Sequence, residues 1–212
     1  MNARTSIIDF QNGLRDFARK IIVMSSAGVF KDDPLRMLRA FSLAATTGFR
    51  IDSPTMDQIK KDIHLIREVS YERIREELFK ILESDRAAKN IFVMERIGLL
   101  ERILPQIRVM MGCTQGGYHH LDVWKHSLET LKQMEKIFKE FKNDMDVEGY
   151  YQSKIASDHS RKSLLKLAAL LHDIGKPDTR QREGTGYSFH GHEHVGKSIA
   201  RQMARMLKLS TK

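Results

Sequence analysis

Apolar positions along the chain recur at helical spacing, and the alternation typical of strands is almost absent. Asp33 followed by Pro34 predicts a helix start, because aspartate caps helices and proline suits the first helical position. The apolar residues that follow lie on one helix face, and Gly48 is a natural stop. The same kind of start signal recurs at three later positions: Ser53, Ser70 and Asp85.

A glycine-bearing stretch at residues 108–120 interrupts the helical pattern. It predicts two helical units, residues 31–107 and 119–212. Within the second unit, the polar stretch 142–160 is predicted to be a mobile connection, and residues 182–194 are predicted to be a loop before a terminal helix. The pattern therefore predicts an all-α fold with two helical units.

Composition narrows the class of protein. The chain has 212 residues, of which 41% are hydrophobic and 30% charged, as in ordinary globular proteins. No apolar stretch approaches the roughly 20 residues that a membrane span needs. The single cysteine excludes an internal disulfide, and no secretory pattern opens the chain. We therefore expect a cytoplasmic protein that does not cross a membrane.

The net charge of +9 is concentrated towards the C-terminus, where residues 106–212 carry 18 basic and 12 acidic side chains. Lys197, Arg201 and Arg205 recur at every fourth position there, which places them on one face of the terminal helix. This face is one candidate for contact with RNA phosphates. The alternative is the solvated side of an amphipathic helix.

A first candidate site lies at the helix start in "FKDDPLRMLRAF", where Asp33 precedes Arg36 and Arg39. An aspartate accepts hydrogen bonds, and an arginine donates several in a planar fork. Together they can recognise an edge with one amino group and one acceptor, which cytosine and adenine present. In the alternative, Asp33 is only a helix cap, Arg36 pairs with a nearby acid, and neither contacts a nucleotide.

A second candidate site is formed by histidines and an adjacent carboxylate: His126, the pair His172 and Asp173, and His192 in "FHGHEH". Neutral imidazoles with a carboxylate suit Zn²⁺, Mn²⁺ or Fe²⁺, and carboxylates also admit Mg²⁺. Lys176 follows closely and could hold a phosphate. In the alternative, these are ordinary buried or surface histidines.

The stretches "DDPLRMLRAFSLAATTGFRID" and "SYERIREELFKIL" resemble the neck of bacterial tRNA nucleotidyltransferases and poly(A) polymerases. The resemblance implies that Asp33 and Arg36 act as a protein template for CTP or ATP. Arg39 would be a further nucleotide-contacting residue. Ser42, one turn after Arg39, stands where many relatives carry another arginine. The implied partners are tRNA or other RNA 3′ ends.

The upstream stretch "IIDFQNGLRDF" resembles the end of that family's catalytic head, so residues 1–30 are interpreted as a remnant of it. The family's glycine-serine loop and Asp-x-Asp pair, which hold Mg²⁺ for nucleotidyl transfer, are not in this sequence. We therefore interpret the chain as a fragment and expect that it does not add nucleotides on its own.

The histidine set resembles the HD superfamily of metal-dependent phosphohydrolases. His126, His172 and Asp173 correspond to its first three ligand positions, and His192 corresponds to a histidine near the metal or phosphate. No aspartate follows Asp178, so the family's closing carboxylate is missing. We expect a truncated HD unit with weakened metal binding.

Two principal hypotheses follow for the function. The first is a neck and partial HD domain of a tRNA nucleotidyltransferase or poly(A) polymerase, and the second is a stand-alone metal-dependent HD phosphohydrolase. A third is an RNA-binding module that ignores nucleotide identity. The template residues are shared among CCA, A-only and poly(A) addition, so the sequence does not distinguish these activities.

Overall fold

The computed structural model describes residues 9–116, 120–155, 159–184 and 186–209. The α-helices of these segments are α1 Gly13–Ala18, α2 Val29–Asp32, α3 Leu35–Thr47, α4 Ser53–Asp62, α5 Tyr71–Glu83, α6 Ala87–Arg96, α7 Leu99–Ile103, α8 Val123–Glu140, α9 Met145–Gln152, α10 Arg161–Leu171, α11 Lys176–Thr179 and α12 His192–Met206. Short 3₁₀ helices span Ile63–Glu68 and Pro105–Met110. Among the described helices, none combines the length and apolar character needed to cross a bilayer.

The strands are short and lie at the edges of the helical body. β1, Ile21–Ile22, pairs in parallel with β2, Arg50–Ile51. β3, Gln181–Glu183, pairs antiparallel with β4, Gly186–Ser188. The all-α fold class is confirmed, but the loop predicted for residues 182–194 is corrected. Most of that stretch is used by the hairpin and by the first turn of α12.

The helix start predicted at Asp33 is displaced by one residue. The helix begins at Leu35, so Pro34 is the capping residue. The Asp33 carboxylate still accepts a hydrogen bond from the Leu35 N–H at 3.3 Å, which supplies the capping interaction. At the other end Gly48 adopts φ 78°, as its predicted role as a stop requires. Of the predicted head remnant, residues 1–8 lie outside the described segments.

The polar stretch 142–160 was predicted to be a mobile connection but contains α9. Asp144 starts this helix by accepting a hydrogen bond from the Val147 N–H at 3.1 Å. Tyr151 anchors it by packing edge-on against Phe138 of α8, with ring centroids 4.6 Å apart. A cap and an aromatic contact therefore order a segment whose composition is polar. Residues 156–158 lie outside the described segments.

The two predicted helical units share one interior, because a continuous cluster of buried apolar side chains extends from Val29 to Leu207. Lys166 of α10 lies within this interior with its side chain 0% exposed. Its ammonium donates to the Ser84 carbonyl at 2.5 Å and lies 3.5 Å from Glu135 of α8. Helices α8 and α10 are thus fixed against the end of α5, and this packing also positions the histidines that α8 and α10 carry.

Candidate functional site

The end of α10 brings the His-Asp pair towards α8. His172 and Asp173 follow directly after Leu171, the last residue of α10, and His126 lies in the first turn of α8. The Asp173 Oδ2 atom lies 3.2 Å from His172 Nε2 and 3.7 Å from His126 Nε2. One ligand atom from each of these three residues lies within 4.8 Å of the others. This spacing allows a single ion to contact all three.

Backbone carbonyls orient two of the imidazole rings. His172 Nδ1 lies 2.9 Å from the Ala169 oxygen, and His192 Nδ1 lies 2.8 Å from the Phe189 oxygen. Each Nδ1 must carry a proton to donate to its carbonyl, which leaves Nε2 as the atom that can act as a ligand. His192 Nε2 lies 3.8 Å from Asp173 Oδ1, so this ring also faces the cluster.

The main chains of Gly175 and of the start of α12 lie close together, which places His192 beside His172 and Asp173. A Cβ on Gly175 would lie 2.1 Å from the His192 carbonyl oxygen and 2.5 Å from the Gly196 nitrogen. No other residue type fits at position 175, because such distances are far below van der Waals contact. The turn after Asp173 and the first turn of α12 therefore touch through their main chains.

The carboxylate at the centre of the cluster stays ionised. Burial raises the pKa of Asp173, but hydrogen bonds from His172 and Lys176 outweigh burial and lower that pKa to about 2. The hydrogen bond to Asp173 also raises the pKa of His172 against the opposing effect of burial. The imidazole of His172 and the Lys176 ammonium thus both lie against the charge of Asp173.

The carboxylate at the start of α3 is engaged by a neighbouring helix. Arg73 of α5 donates from Nη2 to Asp33 Oδ2 at 2.9 Å and to Oδ1 at 3.1 Å. Partial burial raises the pKa of Asp33, but the hydrogen bond and charge of Arg73 bring it below its ordinary value. Asp33 therefore presents an anionic edge that already has a guanidinium partner.

Arg36 and Arg39 are exposed on the same face of α3 and line a cleft of about 360 Å³ next to β1. Arg39 also lies 3.6 Å from the buried Glu77 of α5. The Ser42 hydroxyl, one turn further, is buried and donates to Glu77. Position 42 thus faces the interior, whereas the two arginines face the cleft.

The basic face of α12 is solvent-accessible, since Lys197, Arg201 and Arg205 are all exposed and Met203 on the same helix is buried. The helix is tied to the first unit near its end. Arg75 of α5 donates to the carbonyl oxygen of residue 208 at 2.6 Å, where a cation is favoured by the helix dipole.

Three side chains that contact the candidate sites were not identified from the sequence: Arg73, Glu77 and Gln115. Arg73 and Glu77 are four residues apart on α5, the spacing of one helix face, and they match Asp33 and Arg39 in charge. That complementarity was a usable signal. Gln115 lies in the glycine-bearing break and donates to Leu121, and nothing in its local sequence marks it.

Comparison with protein families gives two matches along the chain. Residues 48–111 match the family described as "Probable RNA and SrmB- binding site of polymerase A". Residues 123–211 match the HD domain.

Similar curated proteins act on tRNA. An A-adding tRNA nucleotidyltransferase from Deinococcus radiodurans is 36% identical over 210 residues, which are 96% of this chain and 44% of that protein. A CC-adding tRNA nucleotidyltransferase from Thermus thermophilus is 33% identical over 193 residues, covering 88% of this chain and 40% of that protein. The chain therefore spans less than half the length of these relatives.

Solved structures share the fold. A tRNA-processing enzyme with CTP superposes with a TM-score of 0.61 at 19% identity, covering 94% of this chain and 44% of that one. A tRNA nucleotidyltransferase complexed with a primer tRNA and an incoming ATP analog gives 0.58 at 22% identity, covering 78% and 42%.

Fold and family matches describe a helical protein in which a region that matches an RNA-binding family is followed by a region that matches the HD domain. It is similar to the neck and HD region of tRNA nucleotidyltransferases.

Proposed function

We propose that the chain serves nucleotide addition to RNA 3′ ends, with tRNA as substrate and CTP or ATP as the incoming nucleotide. The observation that carries this proposal is the cluster at the start of α3. Arg36 and Arg39 line one cleft there, and Asp33 precedes the same helix, in a chain similar to an A-adding and a CC-adding enzyme.

Selection rests on hydrogen-bond polarity. The ionised Asp33 accepts from an exocyclic amino group, and Arg36 donates to a ring acceptor. Cytosine and adenine offer this combination, whereas guanine and uracil present the reverse order. Arg39 holds the nucleotide further along the cleft. Arg73 contacts both carboxylate oxygens of Asp33, so we infer that a bound base replaces Arg73 there.

RNA contact is assigned to basic side chains. Residues 48–111 match a family described as RNA-binding. On α12, Lys197, Arg201 and Arg205 are separated by about 6 Å of helix rise, which is comparable to the spacing of successive phosphates. We assign these three residues, together with Lys176, to phosphate contacts. Their effect should weaken as salt rises.

The HD cluster has the donor set of a divalent-cation site. His126, His172 and Asp173 would hold the ion, with His192 adjacent, and the fixed Nδ1 protons leave the correct imidazole nitrogens available. A divalent cation there, Mn²⁺, Zn²⁺, Fe²⁺ or Mg²⁺, supplies Lewis acidity towards water and phosphoryl oxygens. This geometry favours metal-dependent phosphohydrolysis as the second candidate function.

Isothermal titration with CTP, ATP, GTP and UTP, with and without Mn²⁺, tests both candidates. We expect binding of CTP and ATP only, lost in Asp33→Ala and in Arg36→Ala. Asp57→Ala and Arg50→Ala are matched controls, because both residues are exposed on the same unit outside the cleft. Equal binding of all four nucleotides would contradict the template assignment.

The same titration separates the second candidate from the first. Binding of Mn²⁺ without nucleotide, abolished by Asp173→Asn, supports the cation site in the HD region. Hydrolysis of a phosphomonoester that depends on Mn²⁺ and on Asp173 would favour phosphohydrolysis. If Mn²⁺ does not bind, the phosphohydrolase assignment fails and the nucleotide template is unaffected.

A further inference from the structure

Lys176 is held at Asp173 by side chains from three separate parts of the chain. Its ammonium nitrogen lies 2.7 Å from Asp173 Oδ2 and 2.7 Å from Gln115 Oε1. It also lies 5.6 Å from the ring centroid of Phe189. Lys176 is therefore restrained on several sides, with its side chain 16% exposed.

Gln115 is well placed to fix the lysine. The residue is 5% exposed, and its Nε2 faces the Leu121 carbonyl at 3.4 Å. A β-bridge joins the neighbouring residue Thr114 to Asp122. With its nitrogen directed to Leu121, the amide must present its oxygen towards Lys176.

The oxygen that Lys176 contacts is also the oxygen nearest two histidines. Asp173 Oδ2 is 3.2 Å from His172 Nε2 and 3.7 Å from His126 Nε2. An ion held by these three residues through Oδ2 would lie close to the ammonium and be repelled by it. The ammonium and a divalent cation therefore compete for one carboxylate.

We propose that Lys176 is an internal competitor for the divalent cation at Asp173, and that Gln115 is the positioning residue that keeps it there. The proposal rests on the cation site described under the proposed function. It implies that the cation-free site is already charge-compensated. Cation binding releases the ammonium, which is then available to a phosphate group beside the site.

The test is the affinity for Mn²⁺ measured by isothermal titration on the full chain at constant pH. We expect Lys176→Met to bind Mn²⁺ roughly tenfold more tightly than the unsubstituted chain, since a positive charge next to the ion is removed. Gln115→Leu should raise affinity by a smaller factor, because the lysine loses one of its anchors. In the Lys176→Met background, Gln115→Leu should have no further effect.

Lys125→Met is the matched control for a general change in charge. Lys125 precedes His126 on α8, but its ammonium pairs with Asp122 at 3.4 Å rather than with Asp173. We expect its substitution to leave Mn²⁺ affinity within about twofold, because an exposed charge is screened. Asp173→Asn shows which part of the measured heat of Mn²⁺ binding comes from this site. Thermal unfolding of each variant verifies that the fold is kept.

Each outcome decides the proposal. If the unsubstituted chain and Lys176→Met bind Mn²⁺ equally, the cation site stands and the competition is refuted. If Lys125→Met raised the affinity for Mn²⁺ as much as Lys176→Met does, the effect would be one of net charge, and the competition would again be refuted. If neither chain binds Mn²⁺, both the cation site and the competition fail. An undiminished Gln115→Leu effect in the Lys176→Met background overturns the role of Gln115.

Discussion

The neck cluster at the start of α3 (Asp33, Arg36 and Arg39) and the HD cluster (His126, His172, Asp173 and His192) differ in how their polar groups are held. At the start of α3, Asp33 and Arg39 are engaged by side chains of another helix, Arg73 and Glu77, and both arginines are half exposed. In the HD cluster, the His172 and His192 rings are fixed by main-chain carbonyls around a buried carboxylate. The neck cluster is held by side-chain ion pairs that a ligand can replace. The two rings of the HD cluster are held by hydrogen bonds to the main chain.

The difference has an energetic consequence. Exposed ion pairs contribute about 0–1 kcal/mol each, so a ligand can replace Arg73 at Asp33 at little cost. The HD cluster cannot rearrange without moving the turn after α10 or the start of α12, because the backbones of Gly175 and His192 are in contact. Substitutions should therefore be far more disruptive at the HD cluster than at the neck cluster.

The largest disruption of the HD cluster is expected for Gly175→Ala. The added Cβ would meet main-chain atoms of His192 and Gly196, which cannot rotate away as a side chain could. We expect a loss of at least about 2 kcal/mol in the free energy of unfolding, together with weakened Mn²⁺ binding as His192 is displaced. Chemical denaturation and titration with Mn²⁺ measure the two effects.

Gly149→Ala is the matched control for that substitution. Gly149 lies within α9, and a Cβ there would meet nothing within 4 Å. Alanine should stabilise this helix by about 0.5–1 kcal/mol. If Gly175→Ala were equally harmless, the close approach of α12 would not be what organises the HD cluster.

The helices of the fold were largely predictable, because capping residues and apolar periodicity are local signals. Asp122 accepts from the Lys125 N–H at 2.8 Å as the cap of α8, and Gly48 ends α3 as predicted. The β3–β4 hairpin was not predicted, since its strands have three residues each and lack apolar alternation. α9 was missed because its composition is polar, and the contact of Tyr151 with Phe138 of the preceding helix is not a periodic signal.

Residue types at the candidate sites were predictable, but their internal partners were not. His126, the pair His172 and Asp173, and His192 are visible as a pattern along the chain, and the structure brings them together. The contact of Lys176 with Gln115 joins residues 61 positions apart through an irregular loop. No periodicity encodes such a contact, so only tertiary structure reveals it.

A pH-dependent effect is expected where the two regions meet, at Lys166. Burial lowers the pKa of this ammonium to about 8, although Glu135 partly opposes the shift. Below pH 8 the lysine is protonated in both states. Between pH 8 and its ordinary pKa of 10.5 the unfolded chain binds more protons, so stability rises with pH in this range.

Comparison with Lys166→Met isolates this contribution from the titration of other lysines. From pH 8 to 10.5 the free energy of unfolding of the unsubstituted chain should gain about 3 kcal/mol relative to the variant. Lys162→Met, on the same helix and paired with Asp85 at 2.6 Å, is the control: it keeps Lys166, so its stability should still rise with pH over this range. Parallel stability curves for Lys166→Met and the unsubstituted chain would mean that Lys166 is hydrated rather than buried.

The smallest effect on stability is expected at the neck cluster, for Arg73→Met. Its guanidinium is 50% exposed, so the substitution should cost less than about 1 kcal/mol. The pKa of Asp33 should rise, because the hydrogen bond and charge of Arg73 lower it. Stability from this pair is present above the ordinary pKa of 3.8 and is lost as pH falls through the folded value. The difference between the two chains should therefore vanish in acid.

The informative readout for Arg73→Met is the balance between stability and nucleotide affinity. If Asp33 exchanges Arg73 for a base amino group, removing the arginine frees the acceptor, and CTP and ATP should bind a few-fold more tightly. Carboxyl carbon NMR of Asp33 reports its titration in the same sample. Arg67→Met is the control, because Arg67 is exposed on the same unit and is not a partner of Asp33. Weaker CTP binding in Arg73→Met would instead make Arg73 part of the nucleotide site, and the neck cluster would then be preorganised like the HD cluster.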